Sequence, residues 1–288
     1  METITFHCKV ITPMFLAGAD GQTPELRAPS IKGAMRFWWR AMNGHLPLEE
    51  LKKLEAEIFG GVGAGQGRSK VIVRVSDSGL NIRSAELVPH KPFMKQQAIQ
   101  EEEQFEVVLS LTMNLPNFTI KHLKHLFELV CILGGFGKRA RRGMGSVYII
   151  ESSTGDLIHS KIDLAYIQER ISSFSPFYTL SRESIDFNYS GRSPKFGYIK
   201  QIQIGEAKKD GELLHTISNA THKVKEQNAY AYDPSMGHAF KGRYASPVYV
   251  SVIKGSVKPI ITTLNIAPDK NEHQASRLIQ EDFKKRIL

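Results

Sequence analysis

The chain predicts an α+β fold, and three observations carry that expectation. Residues 3–11 (TITFHCKVI) alternate and are rich in β-branched side chains, as a half-buried strand is. Residues 119–133 repeat apolar side chains at helical spacing. Short strand-like runs at 70–75, 146–151, 198–204, 248–253 and 260–264 are separated by helical or glycine-rich stretches.

Each element follows from local chemistry. Thr12-Pro13 ends the first strand, since proline cannot donate to a ladder. Gly18-Ala19-Asp20-Gly21 reads as a turn. Pro29-Ser30 opens a helix with Ser30 as N-cap; it runs to Met42, and Asn43-Gly44 stops it. A second helical segment covers 47–58, and a glycine-rich run to Gly67 precedes the strand at 70–75. The stretch 87–111 holds one or two strands interrupted by the polar region 96–104. In the helix 119–133, Ile120, Leu123, Leu126, Phe127, Val130 and Leu133 cover one face, while Lys121, His122, Lys124, His125 and Glu128 cover a face expected to meet water. Through residue 151 the order is strand, helix, strands, helix, glycine loop, strand. That is the βαββαβ order of a ferredoxin-like (RRM-like) fold, a platform used for RNA.

The second half reads as a strand at 198–204, a helix at 213–226, two strands around Lys254-Gly255-Ser256, and a closing helix at 272–288. A second, degenerate ferredoxin-like unit without its own glycine loop is expected there. The chain turns polar at Thr154-Gly155, which divides it into domains 1–155 and 156–288. Residues 156–200 carry no readable role.

Composition narrows the function. Hydrophobic residues make up 41% and charged residues 23%, ordinary values for a globular protein. The formal net charge of +9 points to nucleic acid or an anionic surface as partner. Cys8 and Cys131 are the two cysteines and form no CxxC pair, which excludes a zinc ribbon and argues against a disulfide framework. Both lie in apolar runs and read as buried thiols of a reducing compartment. The N-terminus lacks a basic region followed by an apolar core, and no run of about 18 apolar residues occurs, so the expectation is a cytoplasmic protein without a membrane partner. No metal-ligand spacing, GxSxG elbow or Walker loop is present, and no cofactor is expected.

Two segments concentrate positive charge. Gly134-Gly135-Phe136-Gly137-Lys138-Arg139-Ala140-Arg141-Arg142-Gly143-Met144-Gly145-Ser146 places five glycines beside four basic residues. A backbone that accepts close approach, next to Lys138, Arg139, Arg141 and Arg142, suits a polyanion. The helix APSIKGAMRFWWRAMNG sets Lys32, Arg36 and Arg40 four apart, in one stripe spanning about 80°. The stripe starts at the helix N-terminus, so Ser30 and Lys32 are expected to meet one phosphate and Arg36 and Arg40 others. Ile31, Ala34, Met35, Trp38 and Met42 form the opposing arc and are expected to pack on the sheet. Trp39 is weighed between base stacking and core.

These segments carry a resemblance. TPMFLAGAD…ELRAPSIKGAMRFWWRAMNG at 12–44, EIFGG at 57–61 and GGFGKRARRGMGS at 134–146 resemble the RAMP superfamily of CRISPR-associated proteins. Within it the likeness is greatest to the first-subunit type of the type III-B (Cmr) effector complex. Arg243-Tyr244-Ala245-Ser246-Pro247 is similar to the same type. The resemblance implies two ferredoxin-like domains and a non-catalytic subunit holding the 3′ part of the guide RNA and its target duplex, among other subunits of the Cmr complex, in antiviral defence. Carried over by residue, it implies RNA contacts at Ser30, Lys32, Gly33 and Arg36, and along the loop at Gly135, Gly137, Lys138, Arg139, Arg141, Arg142 and Gly143. Some members of the superfamily cut RNA. The alternative is therefore a metal-independent endoribonuclease that processes guide RNA, with His45 as general base and Asp20 as a carboxylate at the cut site.

Overall fold

The structure is a computed structural model that describes residues 1–63, 67–155, 162–191, 196–209, 211–227, 234–237, 244–253, 257–265 and 277–288. Its elements in chain order are β1 (Glu2–Val10), α1 (Ala28–Met42), α2 (Leu48–Phe59), β2 (Val71–Asp77), β3 (Ile82–Glu86), β4 (Lys95–Ile99), β5 (Gln104–Leu111), α3 (Ile120–Leu133), β6 (Val147–Ser152), α4 (Leu164–Ile171), β7 (Tyr178–Leu180), β8 (Ser184–Phe187), β9 (Ile199–Ile204), α5 (Glu212–Gln227), β10 (Val248–Ile253), β11 (Lys258–Leu264) and α6 (Arg277–Lys285).

The first sheet runs β2-β5-β1-β6 and is antiparallel throughout. Phe6 lies opposite Val107, and Cys8 opposite Phe105. Strand β1 alternates as its sequence requires: Ile4, Phe6, Cys8 and Val10 are buried while their neighbours are not. Strands β3 and β4 form a separate two-stranded ribbon. The polar stretch at 96–104 therefore contains a strand rather than interrupting one, because ribbon pairing satisfies its backbone without requiring a buried face. The second sheet runs β10-β11-β9-β8-β7, also antiparallel. The unreadable stretch supplies α4, β7 and β8. Lys254-Gly255-Ser256 and the first residues of the expected closing helix lie outside the described residues.

Helix α3 lies between the two sheets. It packs on β1, β5 and β6 of the first and on β10 and β11 of the second. Ten of its fourteen residues are buried, so it is apolar well beyond a single stripe. Phe127 meets Phe6 with ring centroids 4.7 Å apart. The polar face expected to meet water is covered only in part by α4: Lys121 stays exposed, while His125 and Glu128 are buried. Glu128 is fully buried and paired with Arg170, whose guanidinium lies over the Tyr166 ring. His125 Nδ1 lies 2.8 Å from Ser173 Oγ, and burial, with Arg170 and nearby lysines adding to it, pushes this imidazole down to about 4. Thr119 caps α3 in a reciprocal box with His122. One hydrophobic core runs from Ile4 and Phe6 through α3 to Ile202, Tyr249 and Leu264. Cys8 and Cys131 are buried free thiols within it.

Removing one partner of a buried pair leaves an uncompensated charge. Arg170→Ala is expected to cost about 3–5 kcal/mol in urea unfolding. The paired replacement of Glu128 by Leu and Arg170 by Met should recover most of that loss.

Candidate nucleic-acid interface

Helix α1 begins one turn earlier than its capping residue suggested. Arg27 occupies the N-cap position in extended conformation, Pro29 sits in the first turn, and Ser30 lies inside the helix with its amide donating to Arg27 O at 3.1 Å. Proline fits there because first-turn amides need no intrahelical partner. Ser30 is thus not the cap. The apolar arc is buried as expected at Ile31, Met35, Trp38 and Met42. Trp38 meets Phe37 and Tyr249 edge-on, at 5.4 and 5.0 Å, and Trp39 packs on Phe59. Both indoles belong to the core and are not available for base stacking.

The cationic stripe of α1 turns inward. Lys32 Nζ donates to Ser69 Oγ at 2.6 Å and to Val71 O at 2.9 Å, and burial, then Arg36, lowers its pKa. Arg36 and Arg40 both donate to Glu55 Oε1, at 2.8 and 2.9 Å, and Glu55 is buried on α2. The Arg36 and Arg40 side chains remain 39% and 42% exposed, so neither is withdrawn from solvent. Gly33 is exposed on the same helix, and a Cβ built there meets nothing within 4 Å.

The glycine loop follows α3 directly, and its glycines serve the chain's own close packing. Gly137 has φ 91°, and a Cβ there would sit 2.4 Å from Phe15 O. A Cβ at Gly135 would sit 2.8 Å from Gly145 O, and one at Gly143 would press on Leu214 and Ile217 of α5. Backbone bonds stitch the loop down: Lys138 N to Phe15 O at 2.9 Å, and Gly145 N to Pro13 O at 3.0 Å.

The four basic residues of the loop divide. Arg142 is buried, which corrects its reading as a phosphate contact. Its guanidinium donates to Val248 O at 2.8 Å and to Ser246 Oγ at 2.9 Å, and lies 5.1 Å from the centre of the Phe283 ring. Burial, with Arg139 and Arg141 adding to it, pushes it down to about 9. Gly143, equally buried, is likewise withdrawn from any ligand. Arg141 donates to the Ser246 carbonyl and lies 4.5 Å from the Tyr249 ring centre. Lys138 is exposed, with Nζ 3.3 Å from Gly21 O. Arg139 adopts the left-handed conformation at φ 60°, and its buried Nε has no hydrogen-bond partner.

Sequence reasoning missed the tip of the β3–β4 ribbon. Phe93 is 80% exposed there, beside exposed Met94 and between Lys91 and Lys95. The signal was present as KPFMK, a solvent-facing aromatic framed by lysines in a turn.

Of the two nuclease candidates, His45 sits apart from the loop, while Asp20 lies in the turn whose Gly21 carbonyl Lys138 contacts. His45 lines a cavity of about 380 Å³ with Trp39, Glu50, Glu57, Phe118 and His122, and no loop residue borders it. Burial holds the His45 imidazole below its ordinary range, with Glu50 opposing. Asp20 caps its own turn, accepting from the amides of Gln22 and Thr23 at 2.9 Å and from Thr23 Oγ1. These bonds, the Thr23 hydroxyl first, lower its pKa. Among the described residues no group of three or more His, Cys, Asp or Glu is placed to hold a metal ion. No described helix is long and apolar enough to cross a membrane.

The RAMP superfamily model matches residues 7–148. The CRISPR system Cmr subunit Cmr1-2 of Pyrococcus furiosus is 32% identical over 183 residues, a match covering 52% of this chain and 96% of that protein. The chain belongs to the RAMP superfamily. Within it this RAMP protein is Cmr1-like. The crystal structure of apo Cmr1 from Pyrococcus furiosus matches all of this chain and 96% of its own, with TM-score 0.66 and 20% identity. A chain of the type III-B Cmr-beta complex, solved with cognate target RNA bound, matches with TM-score 0.65 and 12% identity, covering 99% of each. At such identities these two structures speak for the fold.

Two outcomes follow for this RAMP protein. Arg142→Ala strands buried carbonyls at the joint between loop and second sheet, and is expected to cost about 2–3 kcal/mol in thermal or urea unfolding. Gly33→Ala is expected to stabilise α1 by about 0.5–1 kcal/mol, since the site is open and helical. If RNA approaches the backbone at Gly33, the same variant loses RNA affinity while gaining stability.

Proposed function

We propose that this chain is a non-catalytic RNA-binding subunit of a type III-B CRISPR effector complex, working in the cytoplasm with other Cmr subunits. In this reading it holds the 3′ part of the guide RNA and its target duplex. The observation that carries the reading is the match to a Cmr subunit along 96% of that relative's length. The surface supports it. Among the described residues Lys138 and Arg139 have no carboxylate partner, and Arg36 and Arg40 are half-exposed beside the open backbone of Gly33. Lysines frame the exposed Phe93 on the ribbon, an arrangement suited to a phosphate backbone with an unstacked base.

We also infer that each sheet is the platform of a ferredoxin-like unit, in domains 1–155 and 156–288. The four strands of the first sheet stand in the spatial order fourth, first, third, second, as in that fold. In the second sheet β9-α5-β10-β11-α6 follows the same path, and β8 stands where a fourth strand belongs.

The test is binding of full-length chain to labelled single-stranded guide RNA across a salt series, with a denaturing gel of the same samples. Expected are intact RNA, affinity falling linearly in log–log with salt, and a slope smaller by about 1 for each phosphate-contacting lysine or arginine removed, Lys138→Ala first. Discrete cleavage abolished by His45→Ala would install the nuclease instead. Salt-insensitive or absent binding would overturn the RNA reading in favour of a scaffold.

A further inference from the structure

Next to the glycine loop lies a group of cations and histidines that the functional reading leaves unused. Helix α5 packs against the loop at Leu214 and Ile217. One turn further on, α5 presents Ser218, His222 and Lys225, and the tip of the β3–β4 ribbon lies on them. The His90 and His222 rings stack with centroids 4.7 Å apart and 15° between planes. His90 Nδ1 shares a hydrogen bond with Ser218 Oγ at 2.6 Å. His215 and Glu86 approach to 3.9 Å at the other end of the same contact.

Arg139 and Lys91 act on the stacked pair, and Lys225 stands one turn further along α5, near Arg139. Arg139 reaches the pair from the loop, with its buried Nε unpartnered. Lys225 stands near Arg139 and Arg142 on α5, and burial followed by those two charges lowers its pKa. Among the described residues neither Arg139 nor Lys225 forms an ion pair. The groups facing His90 are His222, Ser218 and Glu226 from α5, Arg139 from the loop, and Lys91 from its own ribbon. Glu226 is the one carboxylate among them, and it is already paired with His222 Nε2 at 3.1 Å. Docking a ribbon on a helix needs the ring stack and the Ser218 bond. It does not need two further cations gathered beside them, which repel one another until an anion arrives.

We propose that Arg139, Lys225 and the His90–His222 pair form one site for a phosphate group of an RNA backbone, and that the imidazole pair takes up a proton when the phosphate enters. The site is built from both halves of the chain, and the proposal rests on the RNA-binding reading above. Without ligand, burial holds His90 below the ordinary imidazole range, with His222, Lys91 and Arg139 adding to that and Glu226 opposing it. A phosphate monoanion beside the rings reverses the sign of the local field and favours the imidazolium. Binding therefore consumes a proton, and affinity rises as pH falls through the histidine range.

The experiment is fluorescence anisotropy of the full chain with a labelled single-stranded oligoribonucleotide between about pH 7.5 and 6, at fixed ionic strength. For one proton taken up, affinity rises as pH falls, by at most about tenfold per pH unit. His222→Gln and His90→Gln are expected to flatten that dependence while keeping salt-sensitive binding at the upper pH. Lys225→Gln and Arg139→Gly, which suits the left-handed backbone, should weaken binding at both pH values and lower the salt slope. Melting curves of each variant show that it is folded. Inorganic phosphate at millimolar concentration should compete more weakly in the Lys225 variant than in the parent. Wild-type binding that is salt-sensitive yet independent of pH, or a pH dependence that survives both histidine variants, overturns the site and leaves the RNA reading standing. Absence of RNA binding overturns both.

Discussion

Helix α3 has almost no solvent face, and the rest of the structure is arranged around that constraint. Its apolar side chains need cover on more sides than one sheet provides, so the first sheet takes one side and β10 and β11 of the second take another. Its few polar side chains then lie in a dry environment and need partners of their own. Arg170 and Ser173 supply them, which fixes α4 and the connection that follows it. The C-terminal end of α3 is closed from the second half as well, where Ser251 of β10 donates to the Ile132 carbonyl. The two halves therefore share a core rather than an interface.

The position of the glycine loop is a consequence. It leaves α3 at Gly134, where a Cβ would lie 2.5 Å from Trp38 Nε1, so the chain passes hard against α1. It then lies over residues 13–16 and reaches the second sheet through Arg141 and Arg142. A buried guanidinium is tolerable because carbonyl oxygens and the Ser246 hydroxyl receive its donors. Within one short run of sequence, Arg141 and Arg142 thus act as a joint between the halves, while Lys138 and Arg139 are left beside solvent, the ribbon and α5.

The same division governs α1. Glu55 draws Arg36 and Arg40 to one carboxylate and leaves part of each side chain exposed, and Lys32 is held by Ser69 and the β2 backbone. A cationic stripe of this kind is fixed in orientation before any ligand arrives, which lowers the ordering cost of binding a polyanion. Loop, ribbon tip and α5 form a second cationic region whose parts come from both halves.

Much of the fold was legible in the sequence because β1, α1 and α3 have strong periodicity, and periodicity reports which face is buried. The two charged segments were legible for the same reason: charge density is a local property. What the sequence could not show was where each charge goes. Glu128 and His125 look like a solvated face until α4 covers them, and Arg142 looks like Lys138 until Ser246 and Val248 surround it. The β3–β4 ribbon carries too little buried surface to print a pattern, so it was read as an interruption. By itself the sequence determined the elements, the excess of positive charge and the membership in the RAMP superfamily, since these depend on residues close in the chain. Only the tertiary structure decided which cations are structural and which face outward, because burial and pairing depend on residues more than a hundred positions apart, as Arg142 and Val248 are.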